Sequence, residues 1–456
     1  MPSGGPARCL MVADLLIANA LVLTLEEGAA PIFQGYVAIQ GGKIRAVGPT
    51  AGARELPPAR QTLDLEGSLV LPGLVNTHCH APMVWFRGLA DDLPLNTWLR
   101  DFIFPAEAAW LDEDKAYWGA LAAAAEMIRG GITTVADGYF FESQVRRALA
   151  EAGLRAVAAQ GVVDFPAPGA PDPRERLNLA AAFLDSGSDL ADQGITSAIF
   201  CHSPYTCGDE TLAKAKELTR ARGVPFFLHL AETFGEVEEL RQRTGLSPAA
   251  HLDRLGVLDE KTVAVHAVWL SAADQELLAR RGVKVSHCPE SNLKLAAGVA
   301  PIPELLARGV TVGLGTDGAG SNNNLDLWGE LSLAAKLHKV WRRDPTCLPA
   351  PAAVALATRE GARVLGLEDR TGTLTPGKEA DLIVLDLNQP HLTPLYDPFS
   401  HLAYAARAAD VRHVMARGRW LLYDRRFTTL DWPEIAARLR RDSRELAAFF
   451  QKRTHP

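Results

Sequence analysis

The sequence predicts an α/β fold: a (β/α)8 barrel of the TIM type, with a small β-sandwich domain built from N- and C-terminal segments. Three observations carry this expectation. Between about residues 70 and 320, eight short apolar runs alternate with helical stretches; they are SLVLPGLV, GITTVAD, LRAVAAQGVV, ITSAIFCHS, VPFFLHLAE, TVAVHAV, VKVSHCPE and VTVGLGTDG. The runs lack polar alternation, as strands of a parallel sheet covered on both faces do. Eight such units over roughly 250 residues match a closed barrel. No GxGxxG follows the first run, which argues against a doubly wound sheet.

Each region follows in order. Residues 12–69 hold DLLIANALVLTLEEG and YVAIQGGKIRAVG, which read as strands joined by a Gly-Gly turn. They form the N-terminal part of the sandwich. Residues 70–370 form the barrel, whose helices are announced by stretches such as DKAYWGALAAAAEMIRGG and AKAKELTRARG. Residues 371–430, with GTLTPGKEADLIVLDL and VRHVMARGRWLLYDRR, supply the other part of the sandwich. Residues 431–456 have a helical period and an Arg-rich polar face, as expected of a C-terminal helix and tail packed on the barrel or on a neighbouring subunit. Residues 1–11 read as an extension before the folded part, and FPAPGAPDP as a Pro-rich loop.

Bulk properties narrow the function classes. Of 456 residues, 48% are hydrophobic and 22% charged, which suits a soluble protein with a large core. The net charge of −7 leaves no basic stripe to neutralise phosphates, so a nucleic-acid partner is not expected. A small anionic substrate stays open, since one local arginine would suffice. The six cysteines (Cys9, Cys79, Cys201, Cys207, Cys288 and Cys347) show no CxxC spacing and read as reduced thiols. Neither a signal segment nor eighteen continuous apolar residues occur, so the expectation is a cytoplasmic protein without a membrane partner.

The chemistry is carried by how the runs end. The first ends in His78 and His80, the fourth in His202, and the fifth in His229 with Glu232 close behind. The sixth ends in His266, the seventh in His287 and the eighth in Asp317. In a barrel these strand ends converge on one mouth, where active sites of the fold lie. On a strand, His78 and His80 point the same way and Cys79 the other. Imidazoles with one carboxylate suit Zn2+ or Fe2+, with a position left for water. HExxH spacing is absent, and the fourth run ends without a lysine that could be carboxylated to bridge two metals. One divalent ion per subunit is therefore expected, zinc ahead of iron. His251, His338, His391, His401, His413 and His455 fall outside this pattern and read as ordinary histidines.

NTHCH, HLAE, the histidine of the sixth run, SHCPESNLKL and GTDGAGSNN resemble the amidohydrolase superfamily. NTHCHAPMVWFRGLADDLPLNTWL with FPAE resembles, more narrowly, its 5′-methylthioadenosine/S-adenosylhomocysteine deaminase branch, from about residue 14 to 430. The resemblance implies that His78, His80, His229 and Asp317 ligate the metal, with His266 catalytic and a further candidate ligand. It implies that Glu232 moves the proton of the attacking water to purine N1. His287 would polarise the hydroxide, and Asp317 would pass a proton to the departing amine. Trp98, Glu107 and His202 match substrate-facing positions, Glu107 on the ribose hydroxyls and His202 on the purine ring.

One departure bears on substrate. Where members accepting a homocysteine tail are expected to carry arginine, this chain has Gln160, which cannot form a charge-assisted fork with a carboxylate. Arg174 or Arg176 in the next loop are candidate substitutes, whereas Val162, Val163 and Phe165 suit a methylthio or deoxy tail. The expectation is hydrolytic deamination of a 5′-modified adenosine, with 5′-methylthioadenosine first. 5′-Deoxyadenosine, adenosine and S-adenosylhomocysteine follow. The alternatives are another aminopurine, aminodeoxyfutalosine or an s-triazine, and more remotely a non-catalytic barrel module. The family resemblance also implies a homo-oligomer.

Overall fold

In the computed structural model, which describes residues 12–50 and 56–454, the run SLVLPGLV is two strands lying in different sheets. The extension expected over residues 1–11, with Cys9, and also His455 fall outside the described residues. The N-terminal side supplies β1 (Ala13–Val22), β2 (Ile32–Gln40), β3 (Lys43–Pro49), β4 (Ala59–Asp64) and β5 (Ser68–Pro72). The barrel strands are β6 (Leu74–Cys79), β7 (Ile132–Tyr139), β8 (Arg155–Val162), β9 (Ile195–Cys201), β10 (Phe226–Leu230), β11 (Thr262–His266), β12 (Lys284–His287) and β13 (Val312–Leu314). β14 (Leu382–Asp386), β15 (Val411–Ala416), β16 (Arg419–Tyr423) and β17 (Arg426–Phe427) return to the small domain.

That small domain is a nine-stranded mixed sheet, ordered β17-β16-β15-β14-β5-β1-β2-β3, with β4 also paired to β1. The sheet forks at β1, which lies parallel to β4 over Ala13–Ala18 and parallel to β5 at Leu21 and Val22. Between those stretches Asn19 takes a positive φ of 62°, which breaks the register. Both arms of the fork feed one apolar core, Ile17, Val37 and Ile39 from one side, Val70, Leu382 and Val384 from the other.

The chain leaves this sheet for the barrel at Gly73, between the expected boundary at residue 70 and the first barrel strand. A Cβ there would sit 2.1 Å from the Thr133 hydroxyl, so only glycine lets β5 pass so directly into β6. The barrel strands run parallel and in sequence order, β6 through β13. Their ends are stitched together by Thr77, whose hydroxyl donates to the Leu314 carbonyl at 2.9 Å. The N–H groups of Thr316 and Asp317 both donate to the His78 carbonyl at 3.1 Å. β7 through β13 sit on the predicted runs, each buried inside against its neighbours and outside against helices, while β6 takes only Leu74 and Val75 of the first run and continues through His78.

Helices cover the barrel as the Ala- and Leu-rich stretches predict. The helix Glu113–Arg129 begins where the Asp112 side chain accepts the Lys115 N–H, and it buries Ala120, Ala123, Ala124 and Ile128. The C-terminal helix, Trp432–Thr454, packs on that helix: Arg438 pairs with Asp114 and stacks over Trp118, and Ile435 is buried. Arg155 at the start of β8 joins the two domains, donating to Glu379 at 2.6 Å and Asp381 at 2.8 Å. Among the described residues, no helix is long and apolar enough to cross a membrane.

Candidate metal centre and substrate pocket

Strand alternation places the first two ligands. His78 and His80 turn to the barrel mouth, while Cys79 between them is fully buried in the wall. β10 brings His229, and the turn after β13 brings Asp317. His78 Nε2 stands 3.4 Å from His229 Nε2, and Asp317 Oδ1 stands 3.4 Å from Nε2 of both His78 and His80. Ligand atoms of these four residues all lie within 4.8 Å of one another.

The set fits a divalent cation. Tetrahedral zinc with bonds of about 2.1 Å places its ligand atoms roughly 3.4 Å apart. Two imidazole nitrogens facing each other in a buried site gain nothing unless both lone pairs are used. His80 shows how the lone pair is aimed: its Nδ1–H donates to the Gly138 carbonyl at 2.6 Å, which leaves Nε2 as the acceptor. Burial lowers His78 and His202 to about 3 and pushes His80, His229 and His266 down as well, so the cluster is neutral and ready to ligate. Burial works against an ionised Asp317, but His78 and His80 facing it hold the carboxyl well below the usual range. The Ser291 and Ser321 hydroxyls donate to Oδ2 at 2.6 and 2.7 Å, leaving Oδ1 toward the histidines.

Backbone strain concentrates at this mouth. Ala231, His266, Ala267 and Asp317 adopt positive φ of 49°, 67°, 50° and 59°, a region costly for residues with a Cβ. The strained turn after β10 carries Glu232, which is 5% exposed. Burial, with the charge of Asp317, pushes the Glu232 carboxyl up to about 8. His266 stands beside it, Nε2 3.8 Å from Glu232 Oε1, with its Nδ1–H donating to Asn292 Oδ1 at 2.9 Å. His266 lies outside the four-residue group.

A cleft of about 700 Å3, including its open mouth, spreads over this centre. Its walls are apolar, with Met83, Trp98, Phe104, Val162 and Val163 among them, and its carboxyls are Glu107, Glu232 and Asp317. Among the described residues, neither arginine nor lysine lines it. Trp98 opens a π-helical turn, Trp98–Ile103, a local form frequent at functional sites, and it is 5% exposed. Glu107 follows on the helix Phe104–Trp110 and takes a hydrogen bond from the Tyr139 phenol. Burial raises Glu107 to about 7, and the phenol offsets part of that rise. His202 also lines the cleft, with Nδ1 3.0 Å from the Thr206 hydroxyl.

Two expected site residues are not brought into the cleft. Gln160 is half-buried on β8 and its amide donates to the adjacent Gly161 carbonyl at 3.2 Å; Gly161, Val162 and Val163 line the cleft, and Gln160 does not. His287 ends β12 as predicted, but its Nε2 faces His338 Nε2 at 3.3 Å, under the helix Leu327–Arg342. Its Nε2 is turned toward that covering helix, and His287 does not line the cleft. The candidate substitutes for Gln160 are engaged elsewhere: Arg174 pairs with Asp172 in solvent, and Arg176 pairs with Asp164 and Thr211. Tyr139, Tyr205, Ser291, Asn292 and Ser321 were not singled out from the sequence. Ser291, Asn292 and Ser321 lie within SHCPESNLKL and GTDGAGSNN, whose polar residues were the available signal.

The model of the amidohydrolase family matches residues 69–421. The chain belongs to that family. This amidohydrolase is 48% identical over 428 residues to a 5-methylthioadenosine/S-adenosylhomocysteine deaminase of Syntrophobacter fumaroxidans, across 94% of this chain and 97% of that protein. It is 43% identical over 439 residues to a 5′-deoxyadenosine deaminase of Methanosarcina mazei, across 96% of this chain and 99% of the other. Among solved structures, the amidohydrolase superposes on an adenosine deaminase from Xanthomonas campestris with bound zinc. The TM-score is 0.93 at 38% identity, covering 96% of this chain and 99% of that one.

Proposed function

We propose that this amidohydrolase hydrolytically deaminates a 5′-modified adenosine, 5′-methylthioadenosine first, to the corresponding inosine and ammonia. The observation that carries the reading is the buried His78–His80–His229–Asp317 group beside Glu232, opening onto an apolar cleft that also holds Glu107. The relatives named for methylthioadenosine, 5′-deoxyadenosine and adenosine support the same chemistry.

The four ligands would hold one divalent ion, zinc ahead of iron, which supplies water acidified from a pKa of about 15.7 toward about 7. Glu232 takes the proton of the water that attacks C6 and delivers it to N1 of the purine, acting first as base and then as acid. His266 directs its Nε2 toward the same carboxylate. When the tetrahedral carbon collapses, Asp317 takes the remaining proton from the C6 hydroxyl and passes it to the leaving amine; the C6–N bond breaks, the C6 carbonyl forms, and the amine departs as ammonia. Trp98 and Phe104 flank the heterocycle, His202 hydrogen-bonds it, and Glu107 accepts the ribose hydroxyls.

The tail preference rests on charge. A homocysteine carboxylate would enter a cleft whose lining, among the described residues, holds three carboxyls and neither arginine nor lysine, so methylthio and deoxy tails are favoured over S-adenosylhomocysteine. Loss of the adenine absorbance tests the reading across methylthioadenosine, 5′-deoxyadenosine, adenosine and S-adenosylhomocysteine, with metal content measured on the same sample. Methylthioadenosine should give the highest kcat/KM. Unchanged spectra for all four would refute the reading, and a preference for S-adenosylhomocysteine would refute the tail argument.

A further inference from the structure

The turn that presents Glu232 is held by a second buried carboxylate. The helix Phe234–Thr244 starts at Thr233, whose hydroxyl accepts the Glu236 N–H at 3.2 Å. In a capping box, the glutamate at this third helical position reaches back to the N–H of the capping residue itself. Glu236 reaches further. Its Oε2 accepts the Glu232 N–H at 2.8 Å, and its Oε1 accepts the Ala231 N–H at 3.1 Å. Ala231 sits at a φ of 49°, a conformation an alanine holds only when its surroundings impose it. Glu236 is 6% exposed and does not line the cleft, so it touches neither substrate nor metal ligand there.

We propose that Glu236 is a positioning residue for proton transfer: it clamps the main chain of Ala231 and Glu232, so that the Glu232 carboxyl stands beside His266. The role rests on the reading of Glu232 given above. Both oxygens of Glu236 are engaged by main-chain donors, so its capacity to clamp follows from acceptor count. Glutamine keeps one acceptor oxygen, and alanine keeps none. A reacting group displaced by about 1 Å costs roughly a hundredfold in rate. Glu236→Ala should therefore lower kcat by about a hundredfold while KM stays within about threefold of wild type. Glu236→Gln should fall between the two.

The experiment measures kcat and KM of wild type, Glu236→Gln and Glu236→Ala on 5′-methylthioadenosine, normalised to bound metal, with thermal melts of each holoenzyme. A graded fall in kcat with KM and metal content held supports the clamp. The role is overturned if kcat per bound metal in Glu236→Ala stays within about twofold of wild type, whatever its melting temperature. A loss expressed only in KM or in metal content overturns it too. If Glu236→Ala does not fold, Glu236→Gln decides alone, since unchanged kcat in that variant refutes the need for two acceptors. A wild-type protein that deaminates no adenosine in the panel overturns the functional reading, and this role with it.

Discussion

Raising the pH from about 6 to about 8 should tighten the cleft's hold on a ribose, and Glu107→Gln should remove that dependence. Burial raises the Glu107 carboxyl to about 7 from an ordinary 4.5. The sign follows from that direction: the folded protein holds this proton more tightly than the unfolded chain does. The group's contribution to stability is therefore full below about 4.5 and is lost as pH rises through about 7, by roughly 3 kcal/mol at most. A ribose diol donates both hydroxyl protons, so it binds the ionised carboxylate and displaces the proton. The apparent Kd then carries a factor of about 11 at pH 6 and about 1.1 at pH 8, a tenfold gain in affinity. Hydrogen bonds to a charged group contribute about 1.5–3 kcal/mol each. Glu107→Gln should thus weaken binding at pH 8 by at least about tenfold, and the gap to wild type should narrow toward pH 6. Calorimetry on the product nucleoside and its 2′-deoxy counterpart is the assay. Their Kd ratio cancels titration of groups that meet only the purine, Glu232 among them. A ratio independent of pH in wild type, or a slope retained in Glu107→Gln, would refute the reasoning.

Three further outcomes follow from the centre. Glu232→Gln should keep its metal but lose about 10²–10⁴-fold in kcat, the range of general acid–base catalysis; near-normal turnover would remove Glu232 from the chemistry. His78→Ala should lose metal on dialysis against a chelator under conditions where wild type retains it, and equal metal content by elemental analysis would contradict its assignment as a ligand. His287→Asn should lower the melting temperature, because the buried His338 ring loses its partner, while kcat per bound metal stays within about threefold. A loss as large as that of Glu232→Gln would restore the polarising role that the sequence suggested.

Period and position made much of this legible. Eight short apolar runs without alternation, spaced by helical stretches, read as strands covered on both faces, and the parity of His78, Cys79 and His80 fixed which side chains face the mouth. The fork of the small sheet was not legible, because SLVLPGLV reads as one uninterrupted apolar run. Pro72 and Leu74 are both buried, each in its own sheet, and only the crowding of Thr133 against Gly73 marks the change. The placement of His287 was hidden for a related reason. It ends its strand as the other histidines do, yet its ring direction depends on a histidine of the helix Leu327–Arg342, distant in sequence. Gln160 was read by its place near the strand end, but its amide satisfies itself on the next carbonyl and leaves the cleft to Gly161 and Val162. Tyr139 lies two residues beyond the run that was read, and only the folded chain sets its phenol on Glu107.

The passage through Gly73 also orders events during synthesis. β5 leads directly into the strand that bears His78 and His80, and it pairs across Ser68 and Asp386 with β14, near the other end of the chain. At roughly 5–20 residues per second, the ribosome delivers Asp386 about 15–60 s after Ser68. Throughout that interval one edge of β5 has no partner, and the histidines beside it hang from an unfinished sheet. Asp317 arrives late as well, so the ligand set becomes complete only when most of the chain has been made. Completion of the candidate metal-binding group therefore waits for Asp317, and a nascent chain stalled before β13 would present three imidazoles without the carboxylate.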